Sequence, residues 1–153
     1  MVVNRIGNAR TWRDLIPDLT TGQVVDLDAS EKRGAETPAQ LLQLARHWIA
    51  HNLAQMECAG IPAPADAIDS PLDWEPAGHG YRRGYTIWDR SGLRRGGDEL
   101  LFAVQIHGRQ YSDGRIRRSI LALAELEGID AAEARMIAAA LVEAADALDA
   151  IDG

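Results

Sequence analysis

The chain has 153 residues, of which 46% are hydrophobic and 25% charged, with a formal net charge of −7 and a single cysteine, Cys58. This length suits one domain, which can bury about two-thirds of its unfolded surface. The lone cysteine excludes an internal disulfide framework, and no apolar run reaches the roughly 18 residues of a membrane span, so we expect a protein of the cytoplasm.

The first third of the chain reads as helical. Thr11 and Thr20 each stand three residues before a side chain that can bond back to the start of a helix, as in a capping box. We therefore expect short helices near residues 12–16 and 21–32. The second segment contains QVVDLD, which would also pass as a strand.

A longer helix is predicted to begin at Thr37 and Pro38, because a capping residue there precedes a proline of the first turn. Its apolar residues recur at helical spacing as far as Met56. Gly60 is expected to end it.

The next segment, residues 61–80, contains four prolines and is predicted to be a connector. The chain is thus expected to consist of a helical portion over residues 1–60, this connector, and a final portion over residues 81–153. We expect them to form one compact domain.

After residue 80 the hydrophobic period changes to two. Strands are predicted over residues 85–89, 100–111 and 115–126, because apolar and polar residues alternate there. Asp113 and Gly114 join the last two strands as a predicted two-residue hairpin turn, in which both positions need a positive φ.

The last predicted element is a helix that begins at Asp130 and carries one apolar stripe as far as Leu148. The predicted fold class is α+β, with N-terminal helices followed by a three-stranded antiparallel meander packed by the C-terminal helix. The final portion of this fold is a β-meander plus that helix.

Positive charge is concentrated in residues 81–118. This stretch has nine arginines and four acidic residues, a local net charge of +5, whereas residues 1–80 carry −5 and residues 119–153 carry −7. A basic stretch in an acidic protein predicts a surface for an anionic partner, or for an acidic segment of the protein itself.

The two-residue turn fixes a register in which paired residues have numbers that sum to 227. Arg109 then lies opposite Arg118, and Leu121 and Leu123 lie on the core face. Like charges directly across a strand pair are unfavourable, so we expect an anion there, unless the guanidinium groups spread into water. Loss of either arginine is then not expected to destabilise the isolated protein. The predicted residues for partner or anion binding are Arg109, Arg118, Arg117, Arg115 and Tyr111, with Arg82, Arg83, Trp88 and Arg90 as secondary candidates.

Motifs that carry chemistry are scarce. His47 and His51 have the spacing of two metal ligands on one helix, but Trp48 follows the first, so the pattern does not match a metalloprotease motif. The sequence names no catalytic residue and predicts neither a cofactor nor a metal, with this histidine pair as the one alternative.

Two resemblances bear on function. The order of helix, three-stranded meander and helix over residues 38–149 resembles the double-stranded RNA-binding domain. That resemblance implies RNA binding, but Asp130 and Glu133 stand where the family has lysines that grip phosphates. The sequence IDAAEARMIAAALVEAADAL, residues 129–148, also resembles the alanine-rich final helix of small actinobacterial and phage proteins of unknown function. This second resemblance implies a phage or mobile-element protein.

We expect a non-enzymatic binding or regulatory protein that acts through protein–protein interaction. Its predicted partner is an acidic protein or a second copy of the chain in a homodimer. An alanine-rich helix face lets helices approach closely, and a three-stranded sheet leaves one face to be covered. The alternative is a nucleic-acid-binding protein that uses the arginine-rich hairpin, and an enzyme of an unrecognised type is third.

Overall fold

The computed structural model has two compact units. It describes residues 2–90, 94–95, 99–100, 102–124 and 128–152. In chain order the elements are Val2–Asn8 (α1), the 3₁₀ helix Trp12–Asp18, Thr21–Arg33 (α2), Pro38–Cys58 (α3), Glu75–Ala77 (β1), Gly80–Arg90 (β2), Arg94–Arg95 (β3), Glu99–Leu100 (β4), Phe102–Tyr111 (β5), Ile116–Ala124 (β6) and Ala131–Asp152 (α4).

The N-terminal unit comprises Met1–Ala59 and Trp74–Pro76. Its helix α2 begins at a capping box, because Thr20 Oγ1 accepts the N–H of Gln23 and Gln23 Oε1 accepts the N–H of Thr20. QVVDLD is therefore helical, and its interpretation as a strand is wrong. The buried core of this unit is apolar: Ala9, Trp12, Leu15, Leu27, Leu41, Ala45 and Ile49.

Helix α3 begins where the sequence predicts. Thr37 Oγ1 accepts the N–H of Gln40, and Pro38 occupies the first helical position. Near the end of the helix, the Gln55 side chain donates to the carbonyl of Trp74 (2.7 Å) and accepts its N–H (3.1 Å). These two bonds tie the short segment at Trp74 to the N-terminal unit.

The C-terminal unit comprises Gly60–Asp73 and Ala77–Gly153. Its α+β class is confirmed, but the sheet has four antiparallel strands in the order β1-β2-β5-β6, so the predicted number of three is wrong. β3 and β4 form a separate two-stranded antiparallel sheet. β1 could not be predicted from the sequence, because three residues are too few to show alternation and Pro76 among them suits only an edge strand. The part of the predicted third strand beyond residue 124 lies outside the described residues.

Helix α4 packs on one face of β5 and β6. Asp130 Oδ1 accepts the N–H groups of Ala132 and Glu133, and Glu133 Oε2 accepts the N–H of Asp130, all at 2.8 Å. This capping box confirms the predicted start of the helix. The core between sheet and helix comprises Tyr85, Ile87, Phe102, Val104, Ile106, Ile137, Ala140 and Ala144. No helix among the described residues has both the length and the apolarity to cross a lipid bilayer.

The hairpin between β5 and β6 has a three-residue loop, residues 112–114. The N–H of Tyr111 donates to the carbonyl of Arg115 (2.9 Å), and Gly114 has a φ of +90°. Asp113 does not have a positive φ, whereas a two-residue type I′ turn needs one at both central positions. The predicted turn type is therefore wrong.

The longer loop shifts the register by one residue. Paired residues of β5 and β6 have numbers that sum to 226, so Arg109 lies opposite Arg117 and not opposite Arg118. Because side chains alternate between the two faces of a sheet, the shift also moves Leu121 and Leu123 off the predicted core face. They are 41% and 56% exposed.

Candidate partner-binding face

The face of β5 and β6 opposite α4 carries an ordered series of side chains, and we call it the open face. Its residues pair directly across the two strands as Ala103 with Leu123, Gln105 with Leu121, His107 with Ser119, and Arg109 with Arg117. The open face is therefore apolar at one end, polar in the middle and basic at the other. Tyr111 and Arg82, which pair across β5 and β2, extend the basic end.

Arg109 and Arg117 form the centre of the basic end. Both side chains are exposed, and neither guanidinium forms an ion pair or a hydrogen bond with another described side chain or backbone group. Directly opposite positions on an antiparallel pair have Cβ atoms about 5 Å apart, where like charges are destabilising. On the other side of Arg109 stands Gly84, which adds no side chain that could compensate the charge.

Three other arginines of this unit are held by the chain itself. Arg83 donates to Gln110 Oε1 (2.8 Å) and to the carbonyl of Pro62 (2.8 Å). Arg90 forms an ion pair with Glu143 of α4. The arrangement at the hairpin loop is similar, because Arg115 Nε donates to Asp113 Oδ2 (2.7 Å) while its guanidinium lies 5.0 Å from the ring centroid of Tyr111.

Arg118 is also held internally, on the face that α4 covers. Its Nε donates to Asp66 Oδ2 (2.9 Å) and its Nη1 to Asp152 Oδ1 (3.0 Å). Burial opposes the charge on Arg118, but the hydrogen bond and attraction of Asp66 outweigh it, so the pKa of Arg118 is raised. Burial, followed by the charge of Asp66, raises the pKa of the neighbouring Tyr85 to about 12. The anions for this arginine thus come from the same chain.

A glycine makes room for this cluster. Gly108 lies between Tyr85 and Arg118 in the sheet, and a Cβ at position 108 would stand 2.1 Å from Tyr85 Cζ. Sequence reasoning missed the acceptors Asp66 and Asp152 and the neighbouring Tyr85. A glycine inside an alternating strand often marks such a close approach, and it is the signal that could have pointed to the tyrosine.

A pocket of about 320 Å³ adjoins the basic end. It is lined by residues 77–81, including His79, and by the hairpin loop from Tyr111 to Asp113 with Arg115. Asp113 and Arg115 neutralise one another at its rim, and backbone hydrogen bonds, chiefly from Arg115, lower the pKa of Asp113. The pocket therefore offers aromatic and polar surface with little net charge.

The remaining candidates lie elsewhere. Trp88 packs against the core on the side of α4. His47 is exposed and His51 half-buried on α3. Within the described ranges, no three His, Cys, Asp or Glu side chains lie close enough together to hold a metal ion. Comparison of the chain with protein-family profiles, curated proteins and solved structures gives no significant match.

Proposed function

We propose that the chain is a non-enzymatic binding protein whose open face binds an acidic protein partner through Arg109 and Arg117. One observation carries this proposal. The chain supplies acceptors for Arg83, Arg90, Arg115 and Arg118, but among the described residues it supplies none for these two, which stand side by side. Carboxylates of a partner would relieve the repulsion between them and form charge-assisted hydrogen bonds.

The apolar end of the open face defines the partner further. Leu121 and Leu123 lie two and three residue pairs away from the two arginines on the same face. Arginine and large apolar side chains together are typical of protein interfaces, whose centres contain few other charged residues. The partner that fits therefore presents carboxylates at one end and apolar side chains at the other.

A nucleic-acid ligand is the alternative, and Tyr111 is the observation that favours it. Its ring is half-buried beside Arg109 and Arg115, where a base could stack and a phosphate could meet an arginine. The acidic balance of the chain as a whole, −7, opposes this ligand. We also propose a cytoplasmic setting.

Affinity capture from a lysate of the source organism tests the proposal. The bait proteins are the wild type, Arg109→Ala/Arg117→Ala, and a control, Arg10→Ala, which removes an exposed arginine of the N-terminal unit. We expect a protein that the wild type and the control retain, that nuclease treatment leaves bound, and that the double variant retains at least about tenfold less.

Two results would contradict the proposal. Equal retention by the double variant would place binding elsewhere, and loss of binding after nuclease treatment would support the nucleic-acid alternative. Circular dichroism of the double variant should match that of the wild type, because neither arginine side chain has a bonding partner among the described residues.

A further inference from the structure

Strand β6 lies at an edge of the sheet, and its outer side can pair with a further strand. It runs for nine residues and pairs with β5 from Gln110 to Phe102 without a shift, so it has no bulge, and it contains no proline. Long, regular edge strands with apolar side chains are usually covered, because their free N–H and C=O groups pair readily with another strand. Exposed Leu121 and Leu123 give this edge its apolar character.

We propose that a second copy of the chain covers this edge, through antiparallel pairing of the two β6 strands about a twofold axis. The inference goes beyond the proposed function and does not depend on it. Pairing centred on Ala122 places Leu121 of one copy beside Leu123 of the other. It also carries the basic end of each copy, at Arg109 and Arg117, to opposite ends of the new strand pair, where the two do not repel.

Two ion pairs reveal which flank of α4 faces the same edge. Glu143 pairs with Arg90 of β2, whereas Asp152 pairs with Arg118 of β6. On a helix of 3.6 residues per turn, the flank that carries Asp152 lies opposite the one that carries Glu143. That outer flank also carries exposed small and apolar residues: Ala134, Ala138, Leu141 and Ala145.

The twofold axis would bring these flanks together. α4 lies over β5 and β6, so its axis stands about one strand spacing, roughly 5 Å, from the proposed twofold axis. Two antiparallel α4 helices would then lie about 10 Å apart, which matches the 8–10 Å of packed helices. Glu143 pairs with Arg90, which lies level with Ala122 across β5, so the axis passes α4 near residue 143. Ala138 allows the approach, and Arg135 of one helix would lie within one turn of Asp149 of the other, so the charges are complementary.

The contact area indicates that a stable dimer needs both the strand contact and the helix contact. With Ala122 at the centre, the two β6 strands overlap over residues 120–124, about 17 Å, and the 22-residue helix is about 33 Å long; each presents a band roughly 10 Å wide. Together they bury about 500 Å² on each copy, or about 1,000 Å² in total, near the lower limit for stable interfaces, whereas either alone falls well below it. The dimer would form one eight-stranded sheet, and the basic ends of both copies would lie on the same face of it, the open face.

Light scattering coupled to size-exclusion chromatography tests the dimer with the full chain, whose subunit mass is 16.7 kDa. We expect twice that mass for the wild type. Ala138→Arg places a bulky charge on the outer flank and should raise the dissociation constant at least about tenfold. Its neighbour Ala139 is exposed and lies four residues before Glu143, on the opposite flank of α4, so Ala139→Arg should leave the dimer intact.

Ala122→Pro tests the strand separately. The N–H of Tyr111 donates to the carbonyl of Arg115, and along an antiparallel pair the residues of each strand bond alternately to one side and the other. The N–H of Ala122 therefore points away from β5, and proline at this position removes only an outward donor. It should also weaken the dimer. A monomeric wild type, or a dimer that survives both Ala138→Arg and Ala122→Pro, would overturn the proposal. If the proline variant does not fold, Ala138→Arg decides alone.

Discussion

Arg117 and Arg118 are neighbours in sequence but lie on opposite faces of the sheet. Arg118 points to the face that α4 covers, where Asp66 and Asp152 accept from it. Arg117 points to the open face beside Arg109. One residue of strand alternation therefore separates an arginine that supports the fold from one that is available to a partner.

Removal of Arg118 should destabilise the protein, contrary to the expectation from the sequence. Arg118→Ala leaves the carboxylates of Asp66 and Asp152 without their charged donor, and hydrogen bonds to charged groups contribute about 1.5–3 kcal/mol. We expect the free energy of unfolding, measured with urea, to fall by about 2 kcal/mol.

Arg109→Ala is the matched control, because it removes an arginine from the same hairpin that has no partner among the described residues. It should leave stability unchanged or raise it slightly, since repulsion from Arg117 is lost. Equal losses for the two variants would show that the bonds of Arg118 contribute nothing specific.

At the scale of elements, the hairpin loop sets the register and therefore the composition of the open face. Gly114→Ala should lower the melting temperature by about 2–4 °C. A Cβ there meets no atom within 4 Å, so the cost is that of a positive φ, about 1 kcal/mol. Gly22→Ala, within α2, should cause no loss, because Gly22 has no positive φ and alanine favours helix.

The same loop offers a test of turn type. In a two-residue type I′ turn, residue 113 would have a positive φ, and replacing aspartate with glycine would remove the resulting strain and stabilise the hairpin. In the three-residue loop, Asp113→Gly only adds freedom to the unfolded chain and removes the bonds that Asp113 accepts from Arg115. We therefore expect a lower melting temperature, and a higher one would favour the two-residue turn.

Helix starts could be predicted because their signals are local. Thr20, Thr37 and Asp130 each bond within three residues of themselves, so the pattern is complete in the sequence. The register could not be predicted, because Asp-Gly suits both loop lengths and only the φ of Asp113 distinguishes them. A shift of one residue then reversed the faces of β6.

The partners of Arg118 were beyond sequence reasoning for a different reason. Asp66 lies 52 residues before it and Asp152 lies 34 residues after it, in a proline-rich segment and at the end of a helix. No periodicity connects such positions. Two acidic partners of the basic stretch, Glu143 and Asp152, belong to α4, so an acidic segment of the chain itself meets part of that stretch.

For the molecule as a whole, the distribution of charge limits what the arginine stretch can bind. The nine arginines of residues 81–118 would suggest a broad basic surface if all faced solvent. At least four of them have acceptors among the described residues, namely Arg83, Arg90, Arg115 and Arg118. On the open face, Arg109 and Arg117 stand directly opposite each other and repel. Two such charges suit a few carboxylates better than a phosphate backbone.

The salt dependence of nucleic-acid binding measures how many arginines take part. Each phosphate contact with a single strand contributes about −0.7 to the slope of log affinity against log salt, so nine arginines would give about −6 and the pair Arg109 and Arg117 about −1.4. With a fluorescent oligonucleotide in anisotropy titrations, we expect a slope near −1.4 at low salt and no binding at about 150 mM salt. Arg109→Ala/Arg117→Ala should abolish the low-salt signal, because it removes both contacts. A slope of −4 or steeper would mean that the internal ion pairs open to engage phosphates, and it would make nucleic acid the better ligand.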